Sequence, residues 1–227
     1  MEKPIIATTL SGLFVKSEPW KKAHILWYEE RERELKEGGK DTSAVEEWRK
    51  LLQEYPEREK REYFKFVDRV MEALYSELSD KERTIKARKT FFDSVCRYIS
   101  EHPNVKNEDV TKYFISLKYK YRLALITTNK KDSMDKILSL TGLSNLFDII
   151  ESSMPDEKDD KTIVFDRFIK SYGKPLIFIG GDKKDSFDYC ARYQIPHVFV
   201  NLEGGEDLED VEVVHNLNEL EKRLEKL

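Results

Sequence analysis

An uninterrupted apolar run, Leu123-Ala124-Leu125-Ile126-Thr127, constrains the fold of this chain more than any other feature of its sequence. A strand that is apolar at every position is typical of a parallel sheet buried on both faces. Parallel strands need long crossover connections, usually helices, and helix-like and strand-like segments alternate after Pro103. We therefore predict a doubly wound, Rossmann-like α/β sheet with helices on both faces.

The remaining elements of this sheet are read from short apolar runs and from helical periodicity. Ligands of such sheets bind at the carboxyl ends of the strands, so those ends are where we look for functional residues. Besides the run above, strands are predicted at 5–9, 147–150, 176–179, 197–200 and 211–214, and helices at 109–118, 162–172, 186–193 and 218–224.

A block of long, charged, helix-forming stretches separates the first predicted strand from the rest. Two capping-box patterns, Ser43 with Glu46 and Ser79 with Glu82, mark helix starts within it. The pattern predicts an all-helical cap domain of four helices that is inserted after the first strand. The predicted domains are a core of residues 1–16 and 99–227 and a cap of residues 17–98.

Charge and composition exclude several classes of protein. The 227 residues carry 40 Lys and Arg against 44 Asp and Glu, so we expect no nucleic-acid partner. No long uncharged apolar stretch is present, and the N-terminal residues lack the pattern of a signal peptide. We therefore expect a cytoplasmic protein that does not contact a membrane. Cys96 and Cys190 have no metal-ligand spacing and are predicted to be ordinary buried thiols.

The segment from Ile5 to Pro19 reads IIATTLSGLFVKSEP. It resembles the opening of the haloacid dehalogenase (HAD) superfamily, whose phosphatases and phosphomutases carry Asp-x-Asp-Gly-Thr-Leu-Val-Asp-Ser-Glu-Pro. Gly12 and the tail Ser17-Glu18-Pro19 set the register. In that register Thr9 stands at the position of the nucleophilic aspartate, and Ser11 stands at the position of the acid/base aspartate.

Two later segments resemble the second and third motifs of the family. Thr128 and Asn129 follow the apolar run and match the second motif, in which the hydroxyl binds phosphate. The third motif supplies a lysine just before a helix. Lys158 matches it best here, with Lys161 as the second choice, although the usual Lys-Pro pair is absent.

The segment Phe178-Ile179-Gly180-Gly181-Asp182 resembles the fourth motif, which binds metal. Asp182 matches the metal-binding aspartate, and the second acid, expected at Ser186, is displaced by one position to Asp185. The resemblance implies a Mg²⁺ cofactor. Since the first-motif positions are neutral, only these two aspartates would carry charge, and we expect weak binding of the ion.

The substitutions remove the chemistry that the resemblance implies. In the family the first aspartate attacks phosphate, while the second protonates the leaving group and activates water. Thr9 and Ser11 are not ionised at neutral pH and cannot replace them. The phosphate-binding half, formed by Thr128, the lysine and the amides around Ser11 to Leu13, remains.

Two functions are compatible with this pattern. The first is a HAD-like pseudoenzyme that binds a small phosphorylated ligand or a protein partner. The alternative is an active hydrolase of small phosphorylated metabolites, with water activated by Asp182, Asp185 or a cap residue. Trp20, His24, Trp27 and Tyr28 lie at helical spacing near the start of the helical block, where core packing is favoured over contact with a substrate.

Overall fold

The structure is a computed structural model, and it describes residues 3–54, 59–154, 157, 160–181 and 184–227. The chain divides into two compact units. One is an α/β core made of Met1–Glu18 and Ile99–Leu227, and the other is a helical unit made of Pro19–Tyr98. That the helical unit serves as a cap stays a prediction.

Strands of the core unit form one parallel sheet. The strands are β1 (Ile5–Thr8), β2 (Arg122–Lys130), β3 (Ile149–Ser153), β4 (Ile177–Gly180), β5 (His197–Val200) and β6 (Val213–Val214). Within the described residues their order is β3-β2-β1-β4-β5-β6, and every neighbouring pair is parallel. The predicted doubly wound α/β sheet is confirmed. The strand order reverses between β1 and β4, because the chain runs outward from β1 to β3 and then crosses back to β4.

Helices make up the rest of the regular structure. They are α1 (Glu18–Glu37), α2 (Ser43–Glu54), α3 (Glu59–Leu74), α4 (Asp80–Glu101), α5 (Glu108–Leu117), α6 (Lys131–Leu140), α7 (Lys161–Tyr172), α8 (Lys184–Arg192) and α9 (Leu217–Leu224), with a 3₁₀ turn at Pro103–Val105. Among the described residues, no helix is both long enough and apolar enough to cross a membrane.

Both faces of the sheet are buried. Successive residues of a strand point to opposite faces, so Ile6, Leu123 and Leu125 share one face of the sheet, and all three are completely buried. Burial of one such side chain contributes about 1.5–3 kcal/mol. On the other face, buried residues of β1, β2, β4 and β5 pack against buried residues of α7 and α8. The strand residues include Ile5, Ala7, Ala124, Ile126, Phe178 and Phe199, and the helix residues include Phe165, Phe168 and Phe187.

Strand β3 is shifted from its predicted position at 147–150 to Ile149–Ser153. Phe147 uses its ring to pack edge-on against Phe14, with the ring centres 5.2 Å apart. Asp148 uses its carboxylate to accept the Leu123 N–H at 2.9 Å. The strand instead continues through polar residues, which an edge strand tolerates because one side of it lacks a partner strand. The last strand is also shorter than its predicted span of 211–214.

Aromatic residues build the core of the helical unit. Tyr28 stacks on Trp48 with ring centres 3.9 Å apart, and both side chains are buried. Trp27 is completely buried, and its Nε1–H donates to Thr90 Oγ1 at 2.8 Å. The prediction of core packing is confirmed for Trp27 and Tyr28.

One of the two predicted capping boxes is confirmed. The Ser79 N–H donates to Glu82 Oε2 at 2.9 Å, and the Glu82 N–H donates to Ser79 Oγ at 3.4 Å. The prediction at Ser43 is wrong, because Glu46 accepts its hydrogen bond from the Thr42 hydroxyl at 2.7 Å. The Thr42 carbonyl also accepts the Glu46 N–H, which makes Thr42 the N-cap of α2.

An ion pair links α1 to α2 and predicts how stability depends on pH. Hydrogen bonds from Arg49 and from Lys36 lower the pKa of Glu32 from 4.5 to about 2. A carboxylate with a depressed pKa stabilises the fold above its unfolded pKa, and this contribution is lost as the pH falls through the folded pKa. Between about pH 4.5 and 2, we therefore expect the urea midpoint of the wild type to fall more steeply than that of Glu32→Gln. Parallel curves for the two proteins would contradict the assignment.

Candidate functional site

The ends of β1 and β4 meet where the strand order reverses, which is the usual ligand crevice of a doubly wound sheet. Thr9 follows β1, and Gly181 follows β4. The Thr9 hydroxyl accepts the Gly181 N–H at 3.1 Å, and the Thr9 N–H donates to Ile179 O at 3.2 Å. Thr9 is 3% exposed, so this side chain joins two strand ends at the floor of the crevice.

Two glycines allow the loops after these strands to meet backbone to backbone. Gly12 has a φ of +74°, and a Cβ on it would lie 2.0 Å from Gly181 O. A Cβ on Gly181 would lie 2.4 Å from the carbonyl carbon of Gly12. Since both obstacles are backbone atoms, no side-chain movement relieves either clash. Glycine is therefore required at both positions for this close approach.

Ser11 lies half-buried in the tight turn after β1. The Gly12 N–H donates to Val15 O at 2.8 Å, and the Val15 N–H donates to Leu10 O at 3.1 Å. We predicted the amides around Ser11 to Leu13 as phosphate donors. The Gly12 amide already donates within the turn. The predicted role of phosphate donor therefore stays with the amides of Ser11 and Leu13.

The predicted second-motif residues lie at an irregular end of β2. The register between β2 and β3 shifts between Thr127 and Lys130, so Thr128 and Asn129 leave the regular ladder. The Thr127 hydroxyl accepts the Asn129 N–H at 3.1 Å. Thr128 is 5% exposed. A shift of this kind re-aims side chains at a strand end, which is a common feature next to functional sites.

The pairing of β1 with β2 brings the first and second predicted motifs to one edge. If the pairing is continued by one residue, Thr9 lies opposite Ile126. Thr128 is two residues farther along β2, roughly 7 Å away along the strand. Lys161 reaches the same place, since its Nζ donates to Ile126 O at 3.0 Å. Hydroxyls and an ammonium group are therefore brought together at this edge.

Of the two lysines predicted for the third motif, Lys161 is described and Lys158 lies outside the described residues. Lys161 is the first residue of α7. Asp160 caps this helix by accepting the Thr162 N–H at 2.8 Å, which fixes the start of the helix beside the end of β2. The assignment of Lys158 to the third motif therefore stays a prediction. Lys161, the second choice, lies at the carboxyl edge of the sheet.

The predicted metal-binding acids are only partly described. Asp182 lies outside the described residues. Asp185 is an exposed residue in the first turn of α8. Ser186, where the resemblance expects the second acid, is completely buried, and among the described residues its Oγ has no hydrogen-bond partner. Asp185 lines a groove of about 400 Å³ together with Asp160, Lys161, Thr162, Asp188, Tyr189 and Arg192.

The described residues of this edge do not fit a magnesium ion. Mg²⁺ requires near-octahedral oxygen ligands and is usually held by one or two carboxylates. Thr9 and Ser11 offer neutral hydroxyls, and the first of these already accepts a backbone N–H. Within the described ranges, no group of three His, Cys, Asp or Glu side chains could hold a metal.

The cysteine of α8 is a packing residue. Cys190 is completely buried. Burial raises the pKa of its thiol to about 12, and the positive charge of Lys161 opposes this only in part. The thiol is therefore protonated at neutral pH and is not a nucleophile. Cys96 is buried too, so the prediction of two buried thiols is confirmed.

Reasoning from the sequence missed a charged cluster next to this edge. The Arg167 guanidinium contacts the carboxylates of Glu151 and Glu157. The available signal was a cation on α7 between Phe165 and Phe168, both of which are completely buried. A cation in such a position needs an acidic partner, but the sequence does not say which one.

The core is a parallel α/β sheet with a helical unit inserted after its first strand, and its strand order reverses between β1 and β4. Many hydrolases share this class of fold. The sequence profile of haloacid dehalogenase-like hydrolases matches residues 40–185, and the chain belongs to this family. The resemblance found in the motifs is confirmed at this level. The matched region begins after Thr9 and Ser11, so it does not bear on their substitution. No curated protein matches the chain.

Solved structures of family members share the fold. β-Phosphoglucomutase from Clostridium difficile aligns with a TM-score of 0.60 and 20% identity, over 100% of this chain and 97% of that protein. A HAD phosphatase from Thermococcus onnurineus aligns with a TM-score of 0.58 and 18% identity, over 98% and 97%. YfnB from Bacillus subtilis, described as a HAD-hydrolase bound to magnesium, aligns with a TM-score of 0.58 and 12% identity, over 99% of this chain and 100% of that protein. At these identities the likeness shows the fold alone.

The contact between the two loops predicts an unequal cost for two glycine substitutions. Gly12→Ala combines a left-handed φ with a clash against backbone, so we expect a loss of about 3 kcal/mol or more. Gly204→Ala is the control, because Gly204 has a φ of +69° with nothing within 4 Å of its Cβ position. It should cost about 1–2 kcal/mol. Urea unfolding measures both, and equal losses would show that the backbone contact does not stabilise the edge.

Proposed function

We propose that this protein is a HAD-family member that binds a phosphorylated small ligand at the carboxyl edge of its sheet and has no aspartate-based phosphatase activity. It is a ligand-binding protein of the cytoplasm built on a hydrolase fold. The observation that carries the proposal is the environment of Thr9, at the position where the family resemblance places the nucleophile.

Thr9 is poorly suited to attack phosphate. A hydroxyl must lose its proton to become a strong nucleophile, and this requires a base within hydrogen-bond distance. The Thr9 hydroxyl instead accepts the N–H of Gly181, at 3.1 Å, in a nearly inaccessible position. Ser11, at the acid/base position, is neutral and cannot supply the base. The first step of the family's reaction therefore lacks both of its reacting groups.

The elements that hold a phosphate group are better preserved. Lys161 places an ammonium group 3.0 Å from the Ile126 carbonyl, at the end of the strand that carries Thr128. An ammonium and a hydroxyl are both donors, and hydrogen bonds from a charged donor to phosphate oxygens are stronger than neutral ones. The combination favours a phosphorylated ligand over a protein partner.

The proposal predicts that inorganic phosphate binds in the absence of magnesium. Phosphate should raise the melting temperature of the wild type above that in potassium chloride of matched ionic strength. Lys161→Met should weaken apparent affinity about ten- to a hundredfold, because a charge-assisted hydrogen bond contributes about 1.5–3 kcal/mol. Thr128→Val should weaken it to a smaller extent, since the lost donor is neutral.

Two control variants match these changes. Lys174 Nζ also donates to a carbonyl oxygen, that of Tyr193, at 2.8 Å, but it precedes β4 and so belongs to the opposite edge of the sheet. Thr141 is a buried threonine at the end of α6. Lys174→Met and Thr141→Val should keep the phosphate shift. Unchanged affinity in Lys161→Met would reject the proposed phosphate site. Rapid magnesium-dependent hydrolysis of p-nitrophenyl phosphate by the wild type would reject the proposal and support the active hydrolase.

A further inference from the structure

A single guanidinium holds together the segment that follows β3. Arg167, on α7, donates from Nε to Glu151 Oε1 at 2.5 Å and from Nη2 to Ser152 O at 2.5 Å. Its Nη1 donates to the Glu157 carboxylate. The side chains of Arg167, Glu151 and Glu157 are 24%, 13% and 18% exposed. Because they are largely shielded from water, solvent and salt screen these contacts less than they screen a surface pair.

Glu157 connects this cluster to the end of β2. Its second carboxylate oxygen accepts the Met154 N–H at 2.8 Å. Its main-chain carbonyl accepts a hydrogen bond from the Lys130 ammonium at 3.0 Å, and Lys130 also donates to Met154 O. Glu157 is thereby tied to the last residue of β2 on one side and to α7 on the other.

Lys130 lies two residues after Thr128, across the shift in register. Thr128 and Asn129 are outside the regular ladder, so main-chain pairing with β3 does not fix their conformation. The Thr127 hydroxyl, which accepts the Asn129 N–H, bounds this segment on the amino side, and Lys130, where pairing with β3 resumes opposite Ser153, bounds it on the carboxyl side. A series of contacts thus leads from Arg167 through Glu157 to Lys130, which is two residues from Thr128, the predicted phosphate-binding residue.

We propose that Arg167 is a positioning residue for phosphate binding: through Glu157 and Lys130 it holds the irregular end of β2 so that Thr128 faces the ligand. The role rests on the proposed function, since it concerns the same phosphate site. Arg167 itself does not touch the ligand.

Arginine suits this role because its planar group presents several N–H donors in a fixed arrangement. Arg167→Gln removes the charge and leaves the Glu151 and Glu157 carboxylates without the cation that separates them. Arg167→Lys keeps the charge, but an ammonium group cannot reproduce the three-sided geometry. Glu157→Gln keeps size and removes the charge that the guanidinium contacts.

The test is the dissociation constant of inorganic phosphate for the full chain, measured with the unfolding midpoint of each variant. Arg167→Gln and Glu157→Gln should each raise the dissociation constant about tenfold, and Arg167→Lys should raise it less. The double variant should bind phosphate no more weakly than the single variant with the lower affinity, because both changes break the same series of contacts. If Arg167→Gln does not fold, Arg167→Lys and Glu157→Gln provide the same comparison.

Arg49→Gln is the matched control. Arg49 pairs with Glu32 at 2.6 Å in the helical unit, so its loss should lower the unfolding midpoint and leave phosphate affinity unchanged. Affinity of Arg167→Gln and Glu157→Gln within twofold of the wild type would overturn the positioning role alone. It would also be overturned if the increases in dissociation constant caused by the two single changes multiplied in the double variant. Failure of the wild type to bind phosphate would overturn the proposed function, and the positioning role with it.

Discussion

The close contact between Gly12 and Gly181 is the constraint on which the rest of the site depends. It brings the loops after β1 and β4 to backbone contact at the point where the strand order reverses. With the loops so close, the Gly181 amide reaches the Thr9 hydroxyl and sets the floor of the crevice. The sheet therefore places main-chain and hydroxyl groups where the family resemblance places carboxylates.

Exchanging carboxylates for hydroxyls changes what this edge can bind. A phosphate dianion is repelled by nearby carboxylates, and in a partly buried site this repulsion is strong unless a cation neutralises it. Thr9 and Ser11 replace the two carboxylates that the resemblance implies for the first motif, and so reduce this repulsion. The ammonium of Lys161 can then act on a phosphate group directly. In the proposed function, loss of hydrolysis and retention of phosphate binding both follow from the same substitutions.

The sequence predicted the sheet and the edge that carries the site because both depend on local patterns. The apolar run of β2 and the glycines after β1 and β4 needed no knowledge of distant residues. The position of β3 was shifted because Phe147 and Asp148 are engaged by Phe14 and Leu123, far away along the chain. Such pairings are decided by tertiary packing and leave no periodic signal.

Side-chain partners were the least predictable part of the site. Spacing from the following helix favoured Lys158, whereas the placed contact with β2 is made by Lys161. The cluster around Arg167 joins residues that are 10 and 16 positions apart and belong to three different segments. A sequence identifies such charges as needing partners, but only the fold brings the partners into reach.

A crystal structure of the wild type grown with both magnesium and phosphate tests the central claim most directly. The account predicts a phosphate group at the ends of β1 and β2, within hydrogen-bond distance of Thr128 and Lys161, and no ion with octahedral oxygen ligands at Thr9 or Ser11. An octahedral magnesium ion bridging phosphate to the β1 loop would contradict it. So would density for phosphate only on surfaces away from this edge.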